Sequence, residues 1–152
     1  MIDFGLAHAL PKNQCQLTFP SSVPGSFHYT APENFRYFHQ NGEKVDEYDV
    51  DDDEVDTHIV LTQKADIWAA GIILFMMVHD GMHPYGTVGG GRLSKINALK
   101  SEREIDFSPQ SLKANGLHES LKASLRKDPR ERAEARELLD MDFLSGPTIF
   151  KS

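Results

Sequence analysis

The longest apolar stretch runs from Ala65 to Val78, interrupted only by Asp66. It predicts a helix over about 64–78, ended by Gly81, because glycine takes the left-handed turn that closes helices. About fourteen residues is too short for a bilayer, which needs roughly 20. A helix apolar on every side belongs in the middle of a domain. Leu117, Leu121 and Leu125 recur every four residues and predict one buried helix face. Leu93, Ile96 and Leu99 have near-helical spacing and predict a helix over 92–100. A last helix is expected over 132–139, and a short one near Pro32, since proline suits a first helical turn. Residues 3–30, broken by Pro11, Pro20 and Pro24, read as mostly loop. No stretch shows strand alternation, so the expected class is mainly α.

Charge changes this picture in one place. Between Glu43 and Asp56 stand nine acids against Lys44 alone, −8 of a chain total of −7. Such packing of like charges repels and favours a solvated loop. It reads as an acidic insert over about 40–60, between a loop-rich N-terminal part and a helical core over about 62–144. The run lacks the glycine and closing glutamate of a twelve-residue calcium loop. With 152 residues the chain holds one domain's worth of sequence. Cys15 is the only cysteine, which rules out an internal disulfide and fits a reducing compartment. No signal-peptide pattern opens the chain. The negative charge and the absence of a basic aromatic patch argue against direct nucleic-acid binding.

Candidate chemistry then gives the pattern a name. Asp3-Phe4-Gly5 is followed by Ala31-Pro32-Glu33, with a loop between them. Asp66-Ile67-Trp68-Ala69-Ala70-Gly71 opens the apolar helix, His83-Pro84-Tyr85-Gly86 follows it, and Asp128-Pro129-Arg130-Glu131-Arg132 lies near the end. These motifs in this order resemble the eukaryotic protein kinases, from the Asp-Phe-Gly of the large lobe onward. The resemblance covers residues 1–145, leaving 146–152 as a tail. It implies the C-terminal lobe of a kinase-like α+β fold, truncated before the catalytic loop. Met141, Asp142 and Ala133 depart from the family pattern, which puts the end of the last helix in doubt but not the fold.

The resemblance assigns roles residue by residue. Asp3 matches the family's magnesium ligand, and a carboxylate suits a hard cation bridging phosphate oxygens. Phe4 matches the core-packing phenylalanine and Gly5 completes that motif. Residues 3–33 form the activation segment, with Thr18, Ser21 and Ser22 where phosphorylation occurs. Ser26 replaces the threonine that contacts the catalytic aspartate and favours Ser/Thr substrates, and Thr30 closes the segment before Ala31. Glu33 and Arg132 match a structural ion pair. Asp66 matches the aspartate that anchors the catalytic loop.

The complete kinase would use ATP and Mg²⁺ and act on a protein substrate, with self-association of the parent protein as a further expectation. This chain has no Gly-rich phosphate loop, no strand lysine and no His-Arg-Asp loop. Gly86, Gly89, Gly90 and Gly91 follow a turn rather than a strand and read as a surface turn. The fragment is therefore expected to bind neither cofactor and not to catalyse alone. The alternative is a non-catalytic, pseudokinase-like binding module.

A narrower resemblance rests on Val23-Pro24-Gly25-Ser26 and the Asp80–Gly86 turn. These look like the inositol-requiring kinase/endoribonucleases of the unfolded-protein response, which implies the cytosolic face of the endoplasmic reticulum. An ordinary cytoplasmic Ser/Thr kinase, for instance of the mitotic checkpoint type, is the runner-up. His79 and His83 have a spacing that zinc sites use on helices, but Gly81 and Pro84 argue against a continuous helix there. Cys15 has no orienting partner identifiable for a thiol nucleophile.

Overall fold

A computed structural model describes residues 7–19, 26–34, 59–86, 104–107 and 116–145. Its axis is α1 (Gln63–Val78), one residue earlier at its start than the apolar pattern predicts. The start is set by Thr62, whose extended backbone and hydroxyl cap the helix by accepting from the Lys64 amide at 3.2 Å. The end is set by glycine, as expected. Gly81 sits at φ +79° and its N–H reaches back to the Met76 carbonyl at 2.8 Å.

The expected mostly-α chain with no strand needs correction. Strand β1 (Gln16–Phe19) pairs antiparallel with β2 (Ile59–Thr62), in a register that sets Gln16 against Thr62 and Phe19 against Ile59. Each strand is four residues long, too short for alternation to stand out. Their partners lie some forty positions apart, so no local signal announces the pairing. Two expected boundaries move with it. Residues 16–19 leave the 3–30 loop, and the acidic insert gives up Ile59 and Val60 to β2. The rest of that insert, from 40 to 58, lies outside the described residues, as does the helix expected over 92–100.

Across α1 packs α2 (Leu117–Ser124), entered from Gly116 at φ +72°. Leu117, Leu121 and Leu125 are buried, as their spacing predicts, and join Trp68, Ile72, Phe75, Tyr85 and Ala31 in one core. The two helices meet closely at Gly71, where an added Cβ would lie 2.8 Å from Ser124 Cβ and 2.9 Å from Leu125 Cδ2. The expected 132–139 helix is shorter, because α3 begins only at Ala135 (Ala135–Leu139). Arg132 belongs instead to the buried turn before it, whose Ala133 N–H bonds the Ala123 carbonyl at 3.1 Å. A further turn, α4 (Asp142–Ser145), follows where no helix was expected. Near Pro32 the described residues form a 3-10 turn over Pro32–Asn34, and the positions after it lie outside the described residues.

One face of α1 departs from the all-round burial that its composition suggests. Asp66, Ala70, Ile73 and Met77 recur along one side and are exposed, Ile73 by 49% and Met77 by 74%. Among the described residues no helix is long and apolar enough to cross a membrane.

Candidate functional site

The turn before α3 carries the most densely bonded side chain among the described residues. Arg132 is 1% exposed and spends each of its guanidinium N–H groups on an oxygen. Its Nη1 and Nη2 grip the two carboxylate oxygens of Glu33 at 2.7 and 2.9 Å, a bidentate fork across 99 residues. Nη1 also donates to the Lys64 carbonyl at 2.7 Å, Nη2 to the Lys127 carbonyl at 3.3 Å and Nε to the Arg126 carbonyl at 2.9 Å. The guanidinium lies over the Trp68 ring at 5.0 Å. A buried charge with this set of partners is satisfied rather than stranded, which decides whether such a pair is tolerable. Lys64 returns the contact, its Nζ donating to the Arg132 carbonyl and standing 3.7 Å from Glu134.

Local sequence explains how Glu33 arrives there. Pro32 opens the 3-10 turn, and Ala31, 1% exposed, lets that turn sit against the core without a larger side chain intervening. Immediately upstream, Phe27–Tyr29 form a second 3-10 turn. Its closing amide, Tyr29 N–H, bonds the Ser26 carbonyl at 3.0 Å, and Thr30 Oγ1 reaches the same oxygen at 3.4 Å. The segment 26–34 therefore carries two successive 3-10 turns, the second of which presents Glu33 to Arg132.

Behind it an aromatic stack continues from Trp68 to Tyr85, whose rings stack at 6.3 Å between centroids. Burial pushes the Tyr85 phenol far above its ordinary range, with the Arg132 charge opposing in part. Lys127 stands 5.6 Å over the Tyr85 ring. Burial lowers its ammonium below the usual lysine range, and Glu104 pulls it back up. Nearby, on the exposed side of the turn, two Arg130 nitrogens reach Asp128 at 2.6 to 3.1 Å. Together with the Arg130 amide, these bonds hold the Asp128 carboxyl at about 2.

Of the residues singled out by sequence, the structure brings Glu33 and Arg132 together, with Ser26 and Thr30 on the same segment. Thr18 is exposed on β1, opposite Val60, and Asp66 is exposed in the first turn of α1. Asp3, Phe4, Gly5, Ser21 and Ser22 lie outside the described residues. Three members of the site were not singled out as sites: Lys64, Trp68 and Tyr85. Trp68 and Tyr85 do stand inside the quoted motifs, but Lys64 meets Arg132 across 68 residues and carries no periodic signal. Among the described residues no group of three or more His, Cys, Asp or Glu could hold a metal ion.

This geometry ties an Ala-Pro-Glu to an Asp-Pro-x-x-Arg around an Asp-x-Trp helix. The model for protein tyrosine and serine/threonine kinases matches residues 1–141. The chain belongs to that kinase family.

Relatives agree with this membership. Over 145 residues the chain is 30% identical to the dual specificity protein kinase Ttk of Danio rerio, covering 95% of this chain and 13% of that protein. It is 26% identical to the serine/threonine-protein kinase MPS1 of Encephalitozoon cuniculi over 154 residues, 100% of this chain and 22% of the relative. A third relative, the serine/threonine-protein kinase atg1 of Aspergillus oryzae, is 27% identical over 145 residues, 95% and 13%. The chain thus spans less than a quarter of the length of these relatives. None of the three is named as an endoribonuclease, so the narrower stress-sensor likeness stays with Val23–Ser26 and the Asp80–Gly86 turn alone.

Proposed function

We propose that this chain supplies the large-lobe part of an ATP-dependent serine/threonine protein kinase, and that it transfers no phosphate by itself. The observation that carries the reading is the fork between Glu33 and Arg132. It fastens the end of the segment that carries Ser26 and Thr30 to the helical core. In this reading residues 3–33 are the activation segment and Ser26 stands beside the reacting hydroxyl of the substrate.

When bound, Mg²⁺ would neutralise the phosphate charge of ATP, and Asp3 is the one residue of this chain whose motif suits it as a ligand. The chain's own described residues do different work. Arg132 holds Glu33, Glu33 holds the 3-10 turn of Pro32–Asn34, and that turn positions the segment upstream of it. Positioning and charge stabilisation make up nearly all of phosphoryl-transfer catalysis. A chain without the catalytic aspartate, the phosphate-binding lysine and the Gly-rich roof has no means to activate or orient the reactants. Asp66 and the apolar stripe behind it face solvent here, which suits a face on which the catalytic loop rests. Phosphorylation of Thr18, exposed on β1, would add a charge of about −1.5 to −2 there and would call for an arginine partner.

The experiment is to read the transcript in both directions from this segment. A His-Arg-Asp loop and Gly-rich lobe upstream are expected. A message beginning at Met1 and stopping after Ser152 would overturn the kinase reading in favour of a non-catalytic binding module. A ribonuclease-like continuation downstream would place the parent among the kinase/endoribonucleases, whereas an ordinary kinase end favours a soluble relative of the serine/threonine kinases matched above.

A further inference from the structure

The segment 26–34 is fastened at its far end by Glu33, and a second contact fastens its near end. His83, in the turn after α1, lies with Nε2 3.0 Å from the His28 carbonyl, across 55 residues. The carbonyl can only accept, so Nε2 carries the proton. The other ring nitrogen, Nδ1, receives the Tyr85 amide N–H at 3.3 Å and is therefore the bare acceptor. One tautomer satisfies both bonds, and each bond holds the ring for the other.

His28 and His83 meet edge to face at 6.3 Å between centroids, and His83 lies 6.0 Å from Tyr85. Tyr85 in turn stacks on Trp68, which lies under Arg132. The two fastenings are thus the ends of one line of contacts: His28, His83, Tyr85, Trp68, Arg132, Glu33.

We propose that His83 is a positioning residue that clamps the Phe27–Tyr29 turn, and with it Ser26 and Thr30, onto the turn after α1. Two fastenings fix the orientation of a short segment where one leaves it free to pivot. Pro84, next in the chain and buried, stiffens the clamp's mounting. The proposal rests on the kinase reading for its consequence, substrate positioning, but not for the contact itself.

Three variants test it. His83→Gln keeps a side-chain N–H that can reach the His28 carbonyl. His83→Asn keeps an acceptor for the amide two residues on, in an Asx turn, but is too short for His28. His83→Ala keeps neither. Amide hydrogen exchange at Tyr29, with the α1 amides as internal reference, is expected to quicken about five-fold in His83→Ala and His83→Asn and to stay near wild type in His83→Gln. The ¹⁵N shifts of His83 should report a protonated Nε2 and a bare Nδ1.

In the full-length kinase the alanine and asparagine variants should raise KM for a peptide substrate about five-fold, with kcat and KM for ATP unchanged. Unaltered Tyr29 exchange in His83→Ala, rescue by Asn as good as by Gln, or a loss confined to kcat would each overturn the proposal. Should His83→Ala unfold, the Gln and Asn comparison still decides. A full-length protein without phosphotransfer would defeat the kinase reading, while the exchange experiment would still rule on the clamp.

Discussion

At the scale of single residues, the cost of a change follows from how many partners it strands. Arg132 has five acceptors, and two of them belong to Glu33. Glu33→Ala leaves a buried guanidinium facing a void, and removing one partner of a buried pair costs about 3–5 kcal/mol. Arg132→Lys should lose nearly as much, because an ammonium has no planar fork for two carboxylate oxygens and three carbonyls at once. Urea denaturation followed by Trp68 fluorescence reads both. A midpoint unchanged in Glu33→Ala would mean that the fork is ornamental.

Asp128 gives the contrasting case. Its carboxyl is held at about 2 by Arg130, below the ordinary 3.8. A depressed carboxylate adds stability that is present above the unfolded value and is lost as pH falls from there through the folded one. The window is therefore about pH 4 down to 2. Arg130 is exposed and solvent screens the pair, so its effect on stability is small. The sharper readout is the NMR titration of Asp128, which should move up toward the ordinary value in Arg130→Ala.

At the scale of elements, the meeting of α1 with α2 depends on Gly71. Alanine there would gain about 1 kcal/mol of helix propensity. Its Cβ would press on Ser124 Cβ and Leu125 Cδ2 at under 3 Å, and overpacking of this kind costs about 1–3 kcal/mol. The net expectation is a loss, measurable as a lower urea midpoint. Ser124→Gly in the same chain should recover part of it, because Leu125 still presses.

The legible and illegible elements divide on the same ground. α1 and the Leu117–Leu121–Leu125 face could be read because their signals are local, the first a long apolar run stopped by Gly81 and the second a period of four. The β1–β2 pairing could not, since Gln16–Phe19 and Ile59–Thr62 are too short for a period and meet only in three dimensions. The start of α3 was misjudged because Arg132, charged and next to helix formers, reads as a first helical turn while its side chain is taken up by Glu33 and three carbonyls. Glu33 and Arg132 were legible as a pair only through the order of motifs. His83 stood in plain sight in a quoted motif, but its bond to His28 has no sequence signature.

At the scale of the whole molecule, the exposed side of α1 is the feature that sets behaviour. Ile73 and Met77 stand open beside Asp66 and Ala70. Apolar surface left open in this way promotes association. The purified chain should self-associate at high concentration, and Ile73→Lys with Met77→Lys should return it to monomer by light scattering. If the doubly substituted chain associates as before, the stripe is not the sticky surface.

The same open face and the missing catalytic groups bear on one claim, that this is part of a kinase that needs the rest of its domain. The most direct measurement is γ-phosphoryl transfer from ATP to a Ser/Thr peptide. It should compare three proteins: the 152-residue chain, the full-length protein, and full-length protein with Asp3→Asn. The expected result is transfer by the full-length protein alone. Transfer by the isolated chain, or by the Asp3→Asn protein at the unaltered rate, would contradict the account.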